Sequence, residues 1–61
     1  MAKQLVEVIG RDGHVIHEFV ITLPDDDCHD VEFEAVALVM AERHGRVAQS
    51  EFAHIRARCV R

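Results

Sequence analysis

Eleven consecutive residues, Pro24 to Glu34, read PDDDCHDVEFE and hold six carboxylates, one cysteine and one histidine. Acids this crowded could hold a cation, divide general-acid and general-base work between two of them, or begin a helix. A calcium loop needs oxygen ligands at alternating positions and a glycine at its sharp turn. Three contiguous aspartates lack that pattern. Acid–base catalysis needs two carboxyls in environments that push their pKa values apart, and these acids share one polar, solvated surrounding. A helix start, by contrast, favours Asp at the cap and acids in the first turn, where they oppose the positive end of the dipole. The spacing therefore predicts a helix opening at Asp27, with Asp25 and Asp26 as turn residues after Pro24. Asp27 and Asp30 stand at capping-box spacing, with Asp in the place usually held by Glu or Gln.

Cys28 and His29 are the residue types that hold zinc, but zinc signatures come as two pairs at fixed spacing. Here Cys59 is the only other thiol. A site built from Cys28, His29 and Cys59, metal-binding or redox-responsive, is the alternative functional reading. Two ordinary buried thiols are the simpler one. The other histidines scatter. His14 and His17 are three apart on a strand and point to opposite faces, His44 falls in the last helical turn, and His54 falls beside Arg56. Ser50 is the only serine and follows no glycine elbow. The GRDG loop joins strands, whereas the similar loop of a KH domain joins helices. No catalytic residue and no cofactor is assigned.

These residues must be positioned by a small scaffold. Residues 4–10 and 14–23 are rich in β-branched side chains and read as strands. Asp12-Gly13 between them predicts a two-residue type I′ hairpin turn. That register sets Ile9 opposite Ile16, Val8 opposite His17, Glu7 opposite Glu18 and Val6 opposite Phe19. One face then collects Val6, Val8, Val15, Phe19, Ile21 and Leu23, with His17 among them. The other collects Leu5, Glu7, Ile9, Ile16, Glu18 and Val20. A helix over residues 27–44 follows, stopped by Gly45 at the left-handed position. Residues 51–61, EFAHIRARCVR, alternate as a third strand, and Arg56 and Arg58 on it answer the two facing glutamates. A right-handed crossover between parallel strands two and three gives sheet order 2-1-3. The fold class is α+β: one ββαβ domain over residues 1–61, with a single helix on one face of a three-stranded sheet.

With 61 residues the chain buries only about 60% of its unfolded surface, which leaves a thin stability margin. Hydrophobic content of 49% argues against disorder. No apolar run approaches the length of a membrane span, and no cleavable leader is visible. The net charge of −4 disfavours nucleic acid, whose phosphates need a basic face. The absence of Trp and Tyr disfavours base stacking. Charge is asymmetric: residues 1–34 sum to −7 and residues 35–61 to +3. The chain reads as cytoplasmic, reduced and non-enzymatic.

One stretch exceeds what such a fold can hide. Ala35 to Ala41, AVALVMA, is seven apolar residues in succession, and at 3.6 residues per turn they cover all directions around the axis. A sheet covers one side only. The uncovered side should mark an interaction surface, and Phe33, Val36, Ala37, Met40 and Ala41 are the residues expected there. A homodimer is the expected assembly, since a two-fold contact lets one patch serve both copies. A different protein is the alternative partner.

Overall fold

A computed structural model describes residues 1–45 and 47–61. Strand β1 (Ala2–Ile9) pairs antiparallel with β2 (Val15–Leu23) on one side and with β3 (Arg56–Cys59) on the other. The sheet order is β2-β1-β3, and helix α1 (Asp30–Arg43) packs on one face. This is the α+β arrangement that the sequence pattern predicts. Because β1 runs against both neighbours, β2 and β3 are parallel to each other, and the connection through α1 must cross the sheet.

The hairpin register holds where side-chain patterning dictates it. Val6 faces Phe19, Glu7 faces Glu18 and Val8 faces His17. The turn differs from the expected I′ geometry. Gly13 N–H donates to the Gly10 carbonyl at 3.0 Å, so Arg11 and Asp12 are the central residues. Neither has a positive φ, whereas Gly13 does at 87°. A turn of this kind followed by a left-handed glycine is the three-residue hairpin loop. The extra loop residue is absorbed in β2: Ile9 pairs with Val15, and Ile16 is left unopposed as a bulge. Val15, expected on the core face, is consequently turned out and exposed. Asp12 holds the loop, accepting the His14 N–H at 3.2 Å and contacting its ring Nδ1 at 2.9 Å.

Helix α1 begins later than expected. Its N-cap is His29, not Asp27, and Glu32 reaches back to accept the His29 N–H at 2.6 Å. Glu32 is better placed than Asp30 because its longer side chain spans the turn of a capping box. The helix ends at His44, and Gly45 takes the left-handed conformation (φ 65°) that a C′ glycine supplies at least steric cost. Residues 49–54, partly expected as strand, form a 3-10 helix instead, which leaves β3 four residues long.

The core lies between α1 and the sheet. Val6, Val8, Phe19 and Ile21 rise from the strands to meet Phe33, Ala37 and Ala41, and Val47 closes one end. Each large side chain so buried contributes about 1.5–3 kcal/mol. His17 is part-buried at the edge of this face, its ring 4.5 Å from Phe19 in an edge-on contact. Ala37 and Ala41 are both 0% exposed, so the helix backbone rides close to the strands there. Ala37→Leu should therefore overpack this layer and cost about 1–3 kcal/mol, read as a lowered urea midpoint.

Candidate functional site

The chemically dense stretch resolves into a helix start with two separate thiols. Cys28 Sγ lies 3.2 Å from the Asp25 carbonyl, and Cys59 Sγ lies 3.7 Å from the Asp30 carbonyl. The end of β3 and the start of α1 therefore coincide, as the parallel crossover requires. Both cysteines are free and partly buried. Partial desolvation, then the charges of Glu32 and Asp25, push the Cys28 thiol above its ordinary pKa. Desolvation, then Asp30 and Glu34, does the same for Cys59. Both therefore favour the weakly nucleophilic thiol over the thiolate.

His29 serves as the cap residue, exposed to water. Asp25, Asp26, Asp27, Cys28 and Glu32 line an open acidic hollow. Among the described residues no three His, Cys, Asp or Glu side chains gather closely enough to hold an ion. The two thiols of the candidate set Cys28, His29 and Cys59 instead contact different carbonyls, those of Asp25 and Asp30. Arg61 pairs with Asp30 and so ties the chain after β3 to the first residue of α1.

On the face of the sheet away from α1, three lateral rows alternate. Val20, Leu5 and Val60 form one row, and Glu18, Glu7 and Arg58 the next. Val15, Ile9 and Arg56 form the third. Arg58 answers Glu7 with Nε at 2.9 Å and a terminal nitrogen at 2.8 Å from the same oxygen. Such an exposed pair is worth at most about 1 kcal/mol. The expectation that Arg56 and Glu18 join it needs correction. Arg56 stands opposite Ile9, and Glu18 on the edge strand has no cationic partner among the described residues. A charged row thus divides the valines on this face.

The helix leaves a more continuous apolar surface. Of the five residues expected at an interface, Phe33, Ala37 and Ala41 are buried in the chain's own core, and Val36 and Met40 pack at its edge. Burial overturns the expectation for Phe33, Ala37 and Ala41, whereas Val36 and Met40 border the open side. The larger ring of Phe33 has the most area to gain from the sheet, and it carries Ala37 and Ala41, four and eight residues on, inward with it. The opposite side faces water: Val31 is 67% exposed, Val39 is 47% exposed, and Ala35 lies between them. Shallow apolar grooves flank Ala35. Val36, Val39 and Met40 line one, while Val31, Leu38, Ile55 and Ala57 line the other. The i, i+4, i+8 spacing of 31, 35 and 39 was available in the sequence; the direction of that stripe was not.

No family model, curated protein or solved structure matches the chain. Among the described residues no helix is long and apolar enough to cross a membrane.

Both thiols should react slowly with a disulfide reagent at pH 7 and faster as pH rises past about 9, the ordinary thiol range. A folded pKa above the unfolded one gives stability that is present below the unfolded value and lost as pH rises through the folded value. The chain should hence lose stability in mildly alkaline solution, and Cys28→Ser with Cys59→Ser should flatten that loss in melting curves recorded from pH 7 to about 10.

Proposed function

We propose that this chain is a small non-catalytic interaction module that self-associates through the outward face of α1. The observation that carries the reading is the exposed Val31–Ala35–Val39 stripe, backed by half-buried Leu38, on a helix of 14 residues. A stripe of this kind on a small domain has few uses in water other than contact. The rest of the molecule supports the same reading. The acidic stretch begins a helix, both thiols favour the protonated state, and the outer sheet face is divided by charge.

Self-association suits the stripe because a two-fold axis lets it bury itself. Withdrawing two half-exposed valines and the rest of Leu38 from water contributes on the order of 1 kcal/mol per side chain and copy before association costs. The contact is short, so the assembly belongs to the weak, exchanging class. The same reading takes the chain to work in the cytoplasm, where two unpaired, part-buried thiols stay reduced.

Val39→Asp tests this, since Val39 points to water in the single chain and its loss leaves the core intact. Light scattering coupled to size exclusion should find the wild type as a dimer at high micromolar concentration and Val39→Asp as a monomer. Thermal unfolding of the variant in dilute solution should match the wild type. A wild type that stays monomeric at high micromolar concentration rejects the proposal.

A further inference from the structure

The outward stripe of α1 is bordered by charges whose places bear on how a partner would sit. At 100° per residue, Glu32 and Arg43 fall on the same flank of the line through Ala35, about 20° apart around the axis. They are eleven residues apart, so about 16 Å separates them along the helix. The acidic one is in the first turn and the basic one in the last. Both are exposed.

We infer that the occupant of this face is a second copy of the chain docked antiparallel, helix on helix, with Glu32 of each copy level with Arg43 of the other. The inference rests on the self-association proposed above and specifies its geometry. A two-fold axis perpendicular to both helices, crossing midway between residues 32 and 43, keeps the charged flank of one copy on the same side as that of the other. Each Glu32 then meets an Arg43, and the two pairs form together. Ala35 of each copy lies beside Val39 of the other, with Leu38 near the axis, and the small alanine leaves room for the valine. The helix dipoles oppose each other, which is favourable.

A parallel pair has none of these features. Its two-fold axis runs along the helices and puts the charged flanks of the two copies on opposite sides, so Glu32 meets no Arg43, and it brings together two acidic first turns. Charge complementarity therefore selects the antiparallel copy. Glu42, near the C-terminal end of the stripe, confines the apolar overlap to its middle. That keeps the contact small and places its dissociation constant in the micromolar range.

Charge exchange tests the register. Dimer dissociation constants would be measured by sedimentation equilibrium for the wild type, Arg43→Glu, Glu32→Arg and the double variant, at low and high salt. Each single variant turns two attractions into two repulsions and should weaken the dimer on the order of tenfold, less at high salt. The double variant restores opposite charges across the contact and should recover most of the affinity. Glu32→Arg also removes the hydrogen bond to the His29 N–H, so monomer stability falls in both variants that carry it. Recovery of affinity in the double variant, with no recovery of monomer stability, separates contact from folding. Should Glu32→Arg fail to fold, Glu32→Gln, which keeps the capping acceptor, is combined with Arg43→Gln. If the two residues pair across the contact, each single variant weakens the dimer and the double weakens it little further, whereas additive effects overturn the antiparallel register. A wild-type dimer indifferent to these exchanges overturns the antiparallel register and leaves the helix-face reading standing. A wild type monomeric at high micromolar concentration overturns both.

Discussion

The close seating of α1 on the sheet, through Phe33, Ala37 and Ala41, is the contact on which the rest of the molecule depends. Two alanines at full burial bring the helix backbone near Val6 and Val8, and Phe33 supplies most of the area. A domain this small has no second core to fall back on. The same seating determines what is left outside. Once Phe33, Ala37 and Ala41 turn inward, Val31, Ala35 and Val39 have nowhere to go but water.

Strand β1 mediates between the two faces of the sheet. Its inward residues, Val6 and Val8, make the floor of the core, and its outward Glu7 sits between Glu18 and Arg58. Without Arg58, two carboxylates facing each other across a strand pair would repel. The ends are tied as well. Asp30 accepts from Arg61 through its side chain and from the Cys59 thiol through its carbonyl, which closes β3 onto the start of α1. The acidic stretch thus acts in folding: it caps the helix through Glu32 and anchors the last strand through Asp30.

Strand pairing was legible because a one-residue slip would turn every apolar side chain to the wrong face. Patterning therefore specifies Val6 against Phe19 and Val8 against His17 without help from the rest of the fold. The turn was less legible. Asp12-Gly13 suits a two-residue loop, but Gly13 in the left-handed conformation closes a three-residue one, and the bulge at Ile16 absorbs the difference. The helix start was misplaced for a related reason. Asp27 and Asp30 offer cap spacing, yet the longer Glu32 reaches the His29 N–H and moves the cap two residues on. Residues 51–54 alternate well enough for a strand, but β1 ends at Ile9 opposite Arg56 and leaves them no ladder to extend.

What the sequence by itself determined was the set of elements, the β2-β1-β3 order and the surplus of apolar side chains on the helix. Those follow from local periodicity, turn residues and the handedness of a crossover, all short-range or topological constraints. Only the tertiary structure decided which side of α1 is surplus. An all-apolar run such as AVALVMA has no polar face to orient it, so its periodicity is silent about direction. The choice is made by area and fit: Phe33 gains most from the sheet, the alanines allow the approach, and the exposed valines are what remains.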